Sequence, residues 1–220
     1  MKLRWLEVIL LAAPFAVLAI YWNELPARVP MHWNLRGEID AWGAKGIGLF
    51  LLPLISLGVT ALLLYLPRID PKLRAASGHE GRMPAILPII RLTSIVLLDA
   101  IFAVQIAVSL GWKINSGQVL MSCLLVFLVV LGNYLGSLRP NYFAGIRTPW
   151  TLENPETWRA THRQGGRLMF FGGLILLGAQ FFLSQETFGL LFTISISLLV
   201  VWVIFYSWHH SRTHASPRST

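Results

Sequence analysis

The chain reads as all-α: a polytopic membrane protein folded as a six-transmembrane-helix bundle. Three observations carry that expectation. Its residues are 55% hydrophobic and only 13% charged. The apolar residues lie in long runs instead of amphipathic stripes. Six runs reach or approach the roughly 18 residues that cross a hydrocarbon core as a helix. Lipid offers the backbone no hydrogen-bond partners, so such runs must close their amides internally as helices. The alternating segments of a membrane barrel would read differently.

The runs are 5–22, 47–66, 85–110, 118–138, 168–183 and 188–208. The first follows a basic leader, Lys2 and Arg4, but ends in Tyr21-Trp22-Asn23 without a small-residue cleavage site, so it is expected to be an uncleaved span. The fifth is short, and Gly165 and Gly166 can extend it. Cys123, the single cysteine, falls inside the fourth run and has no partner for an intramolecular disulfide. The expected divisions are 1–66 (two spans around an outer loop 22–46), 67–110, 111–208 (three spans with an inner loop 139–167) and a basic tail 209–220.

Orientation follows from the cations. With the N-terminus inside, 13 Lys and Arg fall in cytoplasmic segments, Arg74, Arg82 and Arg218 among them. Four fall outside (Arg28, Arg36, Lys45, Lys113), and Arg91 lies within the third run. The positive-inside rule then puts both termini in the cytoplasm of a bacterial cell (inner) membrane. The net charge of +8 is this same bias. Spread over short segments at a lipid surface, it makes the bilayer the partner and argues against direct contact with nucleic acid.

In the outer loop, Pro26 and Pro30 favour an extended path, and Gly37 and Gly43 offer turn positions. Trp22, Trp33 and Trp42 suit a membrane interface. His32, Trp33, Asn34 and Asp40 are its candidate ligand-facing residues. His32 with Glu38 and Asp40 lacks the paired spacing of a zinc site, so neither a metal nor another cofactor is expected.

Residues 133–166 crowd polar, aromatic and basic groups between two apolar runs. Asn154-Pro155-Glu156 is a helix start: a capping residue, a first-position proline and an acid in the first turn. The helix should run through Gly166 into the fifth span. At 100° per residue, Trp158, Thr161, His162 and Gly165 share one face, beside a stripe of Arg159, Arg163 and Arg167 suited to phosphate headgroups. Upstream, Thr148 precedes Pro149 and is pushed to an extended conformation. Arg147 is expected to project between Tyr142 and Trp150, where a guanidinium can stack.

Two charges lie within the third run. Arg91, towards its cytoplasmic end, is expected to snorkel. Asp99, near mid-span, costs about 2.5–3.5 kcal/mol as an ion. Eight residues, about 12 Å along a helix, keep the two from pairing. Asp99 therefore needs a hydrogen-bond partner on another helix or is protonated. An ion relay through Asp99 is the alternative, that of a small ion-coupled transporter.

The string NYLGSLRPNYFAGIRTPWTLENPETWRATHRQGG resembles the signature of the SdpI family of bacterial membrane proteins, with its GIRTPWTL segment, following tryptophan and Thr-His-Arg-x-x-Gly run. The outer loop LPARVPMHWNLRGEIDAWGAK is similar to the short extracytoplasmic domain that commonly precedes it. Together they cover about residues 14–185. The resemblance implies an immunity and signal-transduction protein that meets an extracellular toxic peptide and holds a cytoplasmic ArsR-type repressor at the membrane. It assigns the signature to Pro140, Asn141, Gly145, Ile146, Arg147, Thr148, Pro149, Trp150, Thr151, Trp158, Thr161 and His162. Asn141, Arg147, Thr148, Pro149, Trp150, Thr151, Trp158, Thr161 and His162 are the candidate partner-binding residues, and Arg147, Trp150, Trp158, Thr161 and His162 are expected as one cytoplasmic recognition surface. No nucleophile, carboxylate pair or metal cluster accompanies His162, so an enzyme is not expected.

Overall fold

A computed structural model describes residues 3–73 and 86–213. Lys2, Arg74, Arg82, the first residue of the third run and the last seven residues of the basic tail lie outside them. Seven helices and one hairpin are described: α1 (Trp5–Tyr21), β1 (Arg28–Trp33), β2 (Ile39–Ala44), α2 (Lys45–Ile69), α3 (Ile86–Ser109), α4 (Ser116–Leu135), α5 (Pro149–Glu153), α6 (Pro155–Ala179) and α7 (Gln185–Thr213).

Apart from the short α5, each helix covers most or all of one apolar run. Four of them (α2, α3, α4 and α7) are long and apolar enough to cross a membrane, and α1 is a shorter apolar helix of 17 residues. The fifth run is the second half of α6, whose first half is polar. The chain is thus a helical multi-pass membrane protein.

The outer loop is extended as the prolines dictate, but regular. β1 and β2 pair antiparallel with irregular register around His32, a single two-stranded hairpin in an otherwise helical membrane protein. Gly37 makes the turn with φ +74°, whereas Gly43 sits inside β2 opposite Val29. Asn34 builds the turn: its Oδ1 accepts from the amides of Arg36 and Glu38 at 2.9 and 3.1 Å. The hairpin is rooted in the bundle by Val29, which is fully buried with Leu18, Leu25, Leu49 and Phe102. Gln105 of α3 fixes it from below, donating to the carbonyls of Pro30 at 2.7 Å and Gly48 at 3.1 Å.

Helices α4 and α6 make the closest crossing. A Cβ on Gly132 would lie 2.8 Å from the Gly166 carbonyl oxygen, and one on Gly166 would lie 2.6 Å from that of Gly132. Without hydrophobic drive between helices in lipid, this backbone-to-backbone approach is what small residues provide.

The N-terminal half is held by a feature the sequence did not announce. Arg91 is not snorkelling. It is 1% exposed and donates through Nε and Nη2 to the two carboxylate oxygens of Glu7 on α1, at 2.9 and 2.8 Å. Glu7 also accepts from the Arg4 amide at 2.8 Å and so caps its own helix. Snorkelling loses to a bidentate charge-assisted pair because α1 brings a carboxylate to the level of Arg91. For Asp99 the expected interhelical bond is missing: its buried Oδ2 has no hydrogen-bond partner among the described residues.

Candidate functional site

The inner segment folds into a knot around His162. Asn154 caps α6, its Oδ1 accepting from the amides of Glu156 and Thr157 at 2.7 and 3.2 Å. The helix then runs unbroken through Gly166 as expected. The Trp158/Thr161/His162/Gly165 face is buried, while Arg159, Arg163 and Arg167 are exposed beside it.

The knot is built from donors and acceptors that leave little spare. His162 accepts from the Ile146 amide at Nε2 (2.9 Å), and its Nδ1 lies 2.8 Å from the Trp158 carbonyl. The neutral tautomer protonated at Nδ1 satisfies both contacts. Its ring stacks on Trp158, with centroids 4.0 Å apart, and Trp158 donates its indole N–H to the Leu138 carbonyl at 2.7 Å. Burial drives the imidazole below its ordinary value, to about 4, so His162 is neutral at physiological pH. Gly145 lets the chain pass over it: φ is +105°, and a Cβ there would lie 2.4 Å from His162 Nε2.

Asn141 is equally consumed. It accepts from the amides of Phe143 and Ala144 and donates to the carbonyls of Arg139 and Ala144 at 2.7–3.0 Å. Thr148, extended at φ −93° and ψ 160°, caps a short helix that was not anticipated, α5, in a reciprocal box with Thr151. Thr151 also donates to the Ile146 carbonyl at 2.8 Å.

The predicted signature residues do come together, but they do not form one surface. Asn141, Thr151, Trp158, Thr161 and His162 are at most 1% exposed. Trp158, Thr161 and His162 face inward because α6 turns that side to the bundle, with the Thr161 hydroxyl buried and without a hydrogen-bond partner among the described residues, while Asn141 and Thr151 spend their polar atoms on the loop backbone. The exposed part is Arg147 and Pro149, with Trp150 half-buried. Arg147 is not a stacking group here: it donates to the Tyr142 carbonyl at 2.6 Å, and Lys72 occupies the Tyr142 ring at 4.6 Å.

Sequence reasoning missed the residues that tie the knot to the other half. Asp70, fully buried after α2, accepts at Oδ1 from the amides of Lys72 and Leu73, and at Oδ2 from the Tyr142 amide at 2.7 Å. Lys72 donates to the Leu152 carbonyl at 2.5 Å. The only local signal was Asp70-Pro71, a helix-start pair after α2.

At the opposite end of the bundle, His32 Nδ1 lies 2.6 Å from Asp40 Oδ1 across the hairpin. The Asn34 side chain donates to Glu38 at 3.2 Å. His32 and Asp40 therefore engage each other, and Glu38 engages Asn34. Trp33 donates its indole N–H to Ser116 Oγ at the start of α4, at 2.9 Å. Lys45 donates to the Trp22 and Leu25 carbonyls and lies over the Trp22 ring. The turn rests on the N-terminal ends of α4 and α7. A Cβ on Gly117 would fall 2.4 Å from the Gly37 Cα, one on Gly189 would fall 2.5 Å from the Leu35 carbonyl oxygen, and Arg36 reaches Glu186 at 3.3 Å.

Fold and site together define a multi-pass helical membrane protein with an ordered hairpin at one end and a buried, histidine-centred loop knot at the other. Residues 137–207 match the SdpI/YfhL protein family, and residues 9–57 match a domain of unknown function, DUF1648. The chain therefore carries an SdpI-family segment behind a DUF1648 segment. It is 23% identical over 201 residues to the immunity protein SdpI of Bacillus subtilis, covering 91% of this chain and 92% of that one. No solved structure matches it.

Proposed function

We propose that this chain is a six-span immunity protein of the bacterial cell membrane, with both termini cytoplasmic, that counters an extracellular toxic peptide. The observation that carries the reading is the similarity to an immunity protein over 91% of the chain. The two ends of the bundle support it. The hairpin lies on the outer side under the positive-inside arrangement and rests on helices of the C-terminal half, while the knot lies inside and is tied to the N-terminal half through Asp70. A ligand that favours one seating of the hairpin can bias the inner end only through such shared helices. Arg147, Pro149 and Trp150 are then the surface offered to an ArsR-type repressor.

The test is expression in bacteria killed by a secreted toxic peptide. The chain should restore survival. Arg147→Ala and Trp150→Ala at normal abundance should retain insertion and lose repressor recruitment. Cysteines placed at Leu35 and Tyr142 should label from outside and from inside respectively. Labelling of position 142 from outside, or no protection by a correctly inserted wild type, refutes the reading.

One observation favours a second reading, a small ion-coupled carrier. Asp99 Oδ2, Ser56 Oγ and Thr60 Oγ1 are buried without partners among the described residues, and polar groups unspent inside a membrane mark ion paths. Flux in proteoliposomes that disappears in Asp99→Asn would establish it. Protection unchanged by Asp99→Asn, with no flux, would dismiss it.

A further inference from the structure

Beneath the hairpin is a cavity of about 650 Å³ that the engaged His32–Asp40 pair does not explain. Its size lies in the range of small-ligand sites. Strand β1 lines one side through Met31 and Trp33, just where the strand register is irregular. Such irregularities re-aim side chains next to binding sites. The walls are mostly apolar, with Leu97 and Ile101 of α3, Met121 and Leu124 of α4, and Phe188 of α7, and the neutral amides Asn34, Asn115, Gln118 and Gln185 also line the space.

Gln180, where α6 ends, also lines the cavity and is 5% exposed. Its Nε2 donates to the Leu177 carbonyl at 3.2 Å, but its buried Oε1 has no hydrogen-bond partner among the described residues. A buried amide oxygen left unpaired is costly, so an occupant that donates to it is favoured over one that cannot. Among the described lining residues His32 is the sole ionisable one, and it is held by Asp40. The lining thus offers no free countercharge, which favours an uncharged occupant. An acyl chain meets the walls but brings no donor to Gln180. An apolar stretch of peptide brings both, since each residue carries a backbone N–H.

We propose that this cavity is a binding site for an uncharged, apolar peptide segment, whose side chains fill the space between α3, α4 and α7 and one of whose N–H groups donates to Gln180 Oε1. Only the identification of that segment with a toxic peptide rests on the immunity reading; the site and its chemistry do not. Since the hairpin covers the cavity and is seated on Gly117 and Gly189, an occupant also bears on that seating.

The experiment uses the full chain in lipid nanodiscs and a neutral photo-crosslinking tripeptide, acetyl-Leu-(benzoyl-Phe)-Leu-amide, beside its fully N-methylated form, which lacks N–H donors. Crosslinks should map to the cavity around Ile101, Met121 and Phe188. Met121→Trp, which fills the space, should lower the yield at least tenfold. The parent should outcompete the N-methylated form about tenfold, and Gln180→Met, similar in volume, should abolish that advantage; this readout stands even if Met121→Trp fails to fold. Crosslinks confined to outward residues such as Phe182, or a parent advantage unchanged in Gln180→Met, overturn the proposal. In cells, protection that survives Met121→Trp overturns the cavity as the toxin's site and leaves the immunity reading standing. A cavity that behaves as expected in a wild type that protects nothing supports the site and removes the immunity reading.

Discussion

Replacing Arg91 with methionine would strand a carboxylate inside the bundle. Glu7 and Arg91 are each 1% exposed, and the guanidinium supplies two hydrogen bonds at 2.8 and 2.9 Å. Removing one partner of a buried pair leaves the other charge uncompensated, at about 3–5 kcal/mol. Replacing both by apolar groups of similar volume removes the desolvation penalty along with the attraction and is neutral or stabilising. Arg91→Met and Glu7→Met should therefore each be strongly destabilising, Glu7→Met slightly more so because it also frees the Arg4 amide. The double variant should lie within about 1 kcal/mol of wild type on the same argument. The coupling energy should then be about 5 kcal/mol or more, two costs of about 3 less a double-variant cost of about 1, and so above the roughly 0.5–3 kcal/mol that contacting residues usually show. Unfolding by SDS in mixed micelles, followed by tryptophan fluorescence, gives all four corners of the cycle. An Arg91→Met cost below about 1 kcal/mol, or a double variant equal to the sum of the singles, would refute a desolvated pair.

Two further outcomes test the inner knot. The His162 imidazole is depressed to about 4 in the fold against about 6.5 when unfolded, so the unfolded chain binds more protons between those values. Stability should be full above pH 6.5, fall progressively towards pH 4 by on the order of 3 kcal/mol, and level off below; thermal melts across that range should show the slope in wild type and lose it in His162→Gln. Gly145→Ala combines a positive φ with a Cβ 2.4 Å from His162 Nε2 and should cost at least about 2 kcal/mol, whereas Gly178→Ala, with nothing within 4 Å of its Cβ, should be neutral or gain up to about 1 kcal/mol; equal melting temperatures for the two variants would contradict the packing.

What the sequence disclosed was set by range. Continuous apolar runs state their own conformation, so the long helices were legible to within a few residues. Asn154-Pro155-Glu156 likewise contained a complete local instruction, and the face bearing Trp158 and His162 followed from helical spacing. That this face would be buried did not follow, because spacing identifies which residues travel together and not which way the helix is turned. The hairpin hid behind two prolines and a weak alternation in which only Val29 and Pro30 are buried. Gly37 is legible as a turn position, whereas Asn34, which builds that turn, reads in the sequence as a ligand-facing residue. Glu7–Arg91 and Asp70–Tyr142 join residues 84 and 72 positions apart, and nothing local to either end names the other. Arg91 was assigned to the membrane surface for that reason.

The Glu7–Arg91 pair also has a consequence for biogenesis. Glu7 is the third residue of α1, and its countercharge is not yet made when that helix leaves the ribosome. At roughly 5–20 residues per second, the intervening 84 residues take some seconds to synthesise. For that interval the shortest apolar helix among the described residues holds an acid that lipid disfavours, and the arrival of α3 supplies its partner. Insertion of the first and third spans is thereby one event in two instalments, and a chain truncated before residue 91 should linger at the insertion machinery or the headgroup layer.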